Sequence, residues 1–160
     1  MKYKYIKCKF YRDSDKEGTV MNEIKIRYVF RHKKTNEIVL HCYTLSEIEY
    51  FGETIYTDKE DYELISRDIW TCLKDSNGKD IYAGDYIKIT YDSAFSKEPF
   101  YIGVVKYLEN EDYPAFDLRP WIDLDMNAIS WLKSESDPSV KKYEVIGDIY
   151  QNPELLEGAE

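Results

Sequence analysis

The sequence predicts a mainly β protein, an antiparallel meander leading into a small barrel or sandwich, with enough short helical turns to count as α+β. Three observations carry that reading. Sixteen of the 160 residues are tyrosine, which suits a half-buried pleated surface. Several runs alternate apolar and polar residues with the period of two that a half-covered strand requires. Turn signals break the chain about every 8–12 residues, the spacing of short antiparallel strands.

Taken in order, Lys4 to Tyr11 reads as a strand with Ile6, Cys8 and Phe10 on one face, and Asp13 to Gly18 as its polar turn. Ile24, Ile26, Tyr28 and Phe30 then alternate with Lys25, Arg27, Val29 and Arg31, giving one buried and one wet face. Ile38, Leu40 and Cys42 alternate with Val39, His41 and Tyr43, and the polar run His32 to Glu37 is short enough for a hairpin loop. Thr44-Leu45-Ser46-Glu47 fits a capping box, with Gly52 as a helix stop, although a strand there is nearly as good. Thr57 to Asp61 reads as a solvated connection.

The clearest local signal follows. Ile69 to Leu73 and Ile81-Tyr82 flank a segment containing Asn77-Gly78, and Asn-Gly favours a tight type I′ hairpin. Gly84-Asp85 punctuates the chain before the strand Tyr86 to Tyr91. Phe100 to Tyr107 is another strand, where Gly103 marks a bend or bulge. Tyr113 to Trp121 holds a short strand interrupted by prolines, and Met126, Ile129 and Leu132 have helical spacing. Ser134 to Ser139 is loop, and Tyr143 to Tyr150 is the last strand. Asn152 caps a terminal turn with Pro153 at its first position. These elements divide into residues 1–66, an N-terminal β region with a basic arm, and residues 67–160, a barrel region with a C-terminal helical turn.

Charge separates along the chain. The net charge is −9. The first 40 residues carry eleven Lys and Arg against five Asp and Glu, a net +6; the other 120 carry eleven against 26, a net −15. The overall sign argues against general double-stranded DNA binding, which needs positive charge over phosphates. The asymmetry favours contact between unlike surfaces, within one chain or between copies. No apolar run approaches the roughly 20 residues of a membrane span. The basic start lacks the apolar core of a secretory signal, so a cytoplasmic protein is expected. Cys8, Cys42 and Cys72 are odd in number and widely spaced, which fits small buried apolar residues in a reducing compartment.

Three segments together resemble the YopX family of phage and prophage proteins. Trp70-Thr71-Cys72-Leu73-Lys74-Asp75-Ser76-Asn77-Gly78-Lys79-Asp80-Ile81-Tyr82-Ala83-Gly84-Asp85-Tyr86-Ile87-Lys88 is similar to the family's central hairpin, a Thr-Gly-Leu-Lys-Asp-x-Asn-Gly-Lys-Glu-Ile-Tyr-x-Gly-Asp pattern. Glu144 to Leu156 resembles its C-terminal signature, and Ile24 to Tyr28 its early strand. Cys72 stands where the family usually has glycine, so no backbone strain is expected there. The first 20 or so residues precede the usual family start. The resemblance implies a β-rich fold containing an SH3-like small barrel, encoded by phage or prophage. It implies no activity and supplies no catalytic residues. The signature residues have structural readings: Asn77-Gly78 makes the turn, Gly84 permits a bend, Asp85 accepts backbone N–H bonds there, and Gly147 permits close backbone approach.

Chemistry-bearing constellations are sparse. There is neither a Walker phosphate loop nor Gly-x-Gly-x-x-Gly. His41 and Cys42 are adjacent in a strand and so point to opposite faces, a poor nucleophile–base or metal pair. Glu109, Glu111 and Asp112, and Asp123 with Asp125, read as solvated loop charge, since neither cluster has a shaped cation loop. No catalytic, cofactor or metal residue is assigned.

The candidate contact residues are Lys25, Arg27 and Arg31, the one concentrated positive stripe, and Trp121 and Trp131, which flank the acidic region. The expected function is a non-enzymatic phage accessory protein that binds a host or phage macromolecule or assembles with itself. Two alternatives stand beside it. One is an acidic mimic of nucleic acid that captures a host DNA-binding protein. The other is local single-stranded nucleic-acid binding through the basic N-terminal region and its tyrosines.

Overall fold

The computed structural model describes residues 23–56, 60–110, 115–122, 129, 132 and 139–155. Among the described residues, eight strands form two four-stranded antiparallel sheets. They are β1 (Lys25–His32), β2 (Ile38–Thr44), β3 (Tyr62–Lys74), β4 (Asp80–Tyr82), β5 (Asp85–Tyr91), β6 (Phe100–Tyr107), β7 (Phe116–Arg119) and β8 (Val140–Asp148). The first sheet has the order β2-β1-β3-β4 and the second β7-β6-β5-β8. Among the described residues the ladders form two open sheets rather than a closed ring. The expected strand at Lys4–Tyr11 and its turn lie outside the described residues, as do Cys8, Trp131, Glu111, Asp112, Asp123 and Asp125.

Local chemistry sets the element ends. Helix α1 (Leu45–Phe51) starts at the expected capping box: Thr44 Oγ1 accepts from the Glu47 N–H, and the Glu47 carboxylate accepts from the Thr44 N–H. Gly52 ends it with φ of 49°, and a 3₁₀ turn (Gly52–Tyr56) follows. The hairpin after β3 has one positive φ, Gly78 at 83°, so it is not the type I′ turn that Asn-Gly suggested. Asp75 supplies the difference. Its Oδ1 accepts from the N–H groups of Asn77 (2.8 Å) and Lys79 (2.9 Å), an Asx-type closure that a two-residue loop does not need. Gly103 likewise sits in regular β5–β6 register without a bulge. A side chain there would collide with the Tyr101 ring, so Gly103 serves close approach.

β3 is 13 residues long and runs unbroken across residues 66 and 67. Its first part pairs with β1 and its last part with β4, so one strand belongs to both halves of the chain. The main core lies under the inner face of the second sheet. Ile81, Ile87, Ile89, Val105 and Leu118 are fully buried, with Ile129 and Leu132 against them. Each such aliphatic side chain contributes roughly 1.5–3 kcal/mol. Leu73 of β3 packs on the same cluster. The core is therefore shared by strands of both sheets, and the chain from β4 to β5 is its joint.

Candidate functional site at the seam between the sheets

The joint is built by the segment Ile81 to Asp85. Gly84, at φ of 85°, allows the chain to turn sharply between β4 and β5. Its N–H bonds to Val105 O, its carbonyl accepts from the Ile149 N–H, and the Ala83 N–H reaches Ile69 O. The turn is thus tied to both sheets and to the chain after β8. Asp85 closes it by accepting the Tyr82 N–H at 2.8 Å, as its place in the sequence suggested.

Arg27 of β1 enters this joint. It was expected on a wet strand face, but the segment between β4 and β5 covers that face, and Arg27 is only 5% exposed. Its Nε and Nη2 donate to Asp68 Oδ2 (3.0 and 2.8 Å), Nη1 donates to Asp85 Oδ1, and Nη2 also reaches Ala83 O at 3.0 Å. The guanidinium lies 5.1 Å from the Tyr82 ring centroid. Asp68 is completed by the Tyr150 hydroxyl and Ser66 Oγ, both at 2.7 Å. One cation therefore serves two buried carboxylates from β3 and β5. Burial alone would lower the Arg27 pKa, yet Asp85 and Asp68 hold it above its ordinary value. Asp85, only 1% exposed, is raised, because burial outweighs the attraction of a guanidinium it must share. Burial, together with the Asp68 carboxylate it donates to, pushes the Tyr150 phenol up to about 12.

Beside this cluster opens a cleft of about 400 Å³, lined by β1, β2, β4 and the end of β8. Cys42, Tyr82, Asp85 and Asp148 are on its walls. Its carboxylates are structurally engaged: Asp148 Oδ1 accepts from the N–H groups of Tyr150 and Gln151, both at 2.9 Å, and Asp80 pairs with Lys25 (2.6 Å) and Lys74 (2.9 Å).

The other sequence candidates separate. Lys25 pairs with Asp80 and lies 4.6 Å from the Trp70 ring centroid. Arg31 pairs with Glu63 at the surface. The positive stripe is therefore engaged in four ion pairs, the two of Arg27 buried. Trp121 is 37% exposed, with the Arg119 guanidinium 3.0 Å from its ring centroid. His41 stacks with Tyr43 and meets Phe30 edge-on, while Cys42 lines the cleft on the opposite face. Both described cysteines correct the expectation of burial: Cys42 and Cys72 are exposed. Cys72 also carries a φ of 64°, so the strain expected to be absent is present. Sequence reasoning missed Asp68, Asp148 and Tyr150. Asp68 lies directly across from Arg27 in the β1–β3 ladder, a pairing that no local pattern reveals.

Among the described residues no helix is long and apolar enough to cross a membrane, and no three His, Cys, Asp or Glu side chains gather as metal ligands.

A solved structure, the crystal structure of protein EF1440 from Enterococcus faecalis, is similar with a TM-score of 0.42 at 17% identity, covering 82% of this chain and 97% of that one. The SPbeta prophage-derived uncharacterized protein YopX of Bacillus subtilis (strain 168) is 37% identical over 81 residues. That match spans 51% of this chain and 53% of the relative, about half of each. The family model described as YopX protein matches residues 9–157, and the chain belongs to that family.

Proposed function

We propose that this chain is a non-enzymatic accessory protein of a phage or prophage, acting in the host cytoplasm by binding macromolecules, in the first place a second copy of itself. The observation that carries this reading is α1. No residue of the helix is buried, and Leu45, Tyr50 (67% exposed) and Phe51 all face solvent. An amphipathic or apolar helix gains little stability unless it covers something, and clustered exposed apolar side chains mark contact surfaces. The cleft supports the same reading from the other side. Arg27, Asp68, Asp85 and Asp148 are committed to holding the joint, so their charges serve the scaffold. The ion pairs of Lys25, Arg27 and Arg31 weigh against a nucleic-acid track along β1. The SH3-like barrel keeps one support, the closure of Leu73 and Ile81 over the second sheet.

Sedimentation velocity on the full chain, across protein concentration and salt, tests the proposal. Concentration-dependent association that weakens with salt is expected. A strict monomer at low salt and high concentration would overturn self-assembly.

A further inference from the structure

Four strand edges bound the two sheets, and they are not alike. β4 has three residues and β7 has four, followed by Pro120, so each offers a short edge. The β8 edge is occupied: Val145 N–H donates to Asp75 Oδ2 (3.0 Å), Ser76 N–H to Tyr143 O (2.9 Å), and Tyr143 N–H to Ser76 Oγ (2.9 Å). β2 is different. Its seven residues, Ile-Val-Leu-His-Cys-Tyr-Thr, contain no lysine, proline or carboxylate, and its register with β1 is unbroken. None of the usual devices that blunt an edge is present within it.

The groups this edge offers follow from the hairpin. His32 N–H bonds to Glu37 O, so in an antiparallel ladder Val39, His41 and Tyr43 bond inward to β1. Ile38, Leu40, Cys42 and Thr44 then present their N–H and C=O groups outward. The two ends are engaged: Ile38 O accepts from Gln151 Nε2 at 3.4 Å, and the Thr44 N–H is held in the capping box. Leu40 and Cys42 remain as the open rungs among the described residues.

From this geometry, and resting on the self-assembly reading above, we infer that the β2 edge pairs antiparallel with the β2 edge of a second copy, about a two-fold axis at His41. Leu40 of one copy then lies opposite Cys42 of the other, and the two open rungs satisfy each other with four main-chain hydrogen bonds. Val39 faces Tyr43 of the other copy, a favourable β-branched–aromatic pair, and no like charges oppose along the strand. The flanks are complementary as well. The register sets the Lys33-Lys34 turn of each copy beside the start of the other copy's α1, which carries Glu49 as well as the capping-box Glu47; Glu37 in that turn and Asp61, 3.8 Å from Lys34 Nζ at the exposed surface, are the acids already beside it. α1 follows directly on β2, so its exposed Leu45 stands at the end of the same line. The isologous pairing extends each first sheet to eight strands across the axis.

The test is cysteine cross-linking in a Cys8→Ser, Cys42→Ser, Cys72→Ser background of the full chain, whose association is first confirmed by sedimentation. Opposed residues at a non-hydrogen-bonded position are about 4.5 Å apart at Cα, close enough for a disulfide. His41→Cys should form a covalent dimer at least tenfold faster than Lys141→Cys, an exposed control on β8. Glu49→Lys should weaken association several-fold, and adding Lys34→Glu should restore it. A chain that associates but shows equal cross-linking at both positions overturns this interface and leaves self-assembly standing. A chain that stays monomeric, with slow exchange of the amides at positions 40 and 42, overturns both and identifies a segment of the same chain as the cover of β2.

Discussion

Arg27 and Asp85, 58 positions apart, are joined in a buried ion pair that spans the seam between the two sheets. Arg27 sits mid-strand in the first sheet, and Asp85 is the first residue of the second sheet's β5. The pair does for the fold what neither ladder does, because the two sheets share no strand. It also explains the Tyr-x-Gly-Asp signature in physical terms: Tyr82 covers the guanidinium, Gly84 makes the turn, and Asp85 anchors it.

Removing the cation should therefore be severe. Arg27→Met strands two buried carboxylates and is expected to cost about 3–5 kcal/mol in urea unfolding. Asp68→Asn should cost less, because its amide oxygen still accepts from Tyr150 and Ser66. The double variant Arg27→Met, Asp85→Asn should lose less than the sum of the two single losses, since one interaction is removed twice. Strict additivity would show that Arg27 and Asp85 are energetically independent.

Cys72 stands at φ of 64°, a backbone region that costs an L-residue roughly 1–2 kcal/mol. Glycine relieves that strain but gains unfolded-state entropy worth about 0.4–1 kcal/mol. Cys72→Gly should thus stabilise the protein by about 0.5–1 kcal/mol, seen as a higher urea midpoint at unchanged m-value. Cys72→Val should move the midpoint the other way, because branching at Cβ aggravates the strain. A lower midpoint for the glycine variant would show that the thiol makes a compensating contact.

Much of this arrangement was legible in the sequence. Thr44 and Glu47 form their capping box within the first turn of one helix, so spacing alone exposes it. The runs that became β1, β2, β5, β6 and β8 were legible as strands from their alternation, although burial does not alternate along β1 or β5, where both faces are covered. The first half of β3 was not, because the ladder with β1 shifts between Val29 and Phe30 and leaves Ile65 as an extra residue. One inserted position inverts the alternation, and Tyr62 to Asp68 no longer reads as a strand. Arg27 was misplaced for another reason. Alternation shows that Lys25, Arg27 and Arg31 share a face, but not that the β4–β5 turn, more than 50 residues away, covers its middle.

Asp75 gives a pH dependence with a definite sign. Burial alone would raise its pKa, but the N–H groups of Val145, Lys79 and Asn77 hold it below its ordinary 3.8. A depressed carboxylate contributes stability above its unfolded-state pKa and loses it as pH falls through the lower folded-state value. Unfolding free energy should thus decline as the solution is taken below about pH 4, the ordinary aspartate range. Asp75→Asn should flatten that decline while lowering stability at neutral pH, since one oxygen can no longer accept. An identical acid limb in the variant would place the titrating group elsewhere.

Gly147 ties the last strand to the terminal 3₁₀ turn (Pro153–Leu155). A Cβ at that position would lie 2.5 Å from Asn152 Oδ1 and 2.9 Å from Leu155 Cδ1, inside any normal contact. Swinging the Asn152 side chain aside gives up the bond its Oδ1 accepts from the Asp148 N–H (3.4 Å), while its backbone N–H, donating to Asp148 O (3.0 Å), fixes the main chain from which it projects. Asp148 in turn holds the N–H groups of Tyr150 and Gln151, and the Tyr150 hydroxyl completes the coordination of Asp68 beside Arg27. Gly147→Ala should then act at a distance. It is expected to destabilise the chain by about 1–3 kcal/mol, the usual cost of overpacking, and to quicken amide exchange at Tyr150 and Gln151. Pairing it with Asn152→Gly removes the obstructing side chain and should recover part of the loss. No recovery in the double variant would show that Leu155, rather than the asparagine, sets the limit on approach at Gly147.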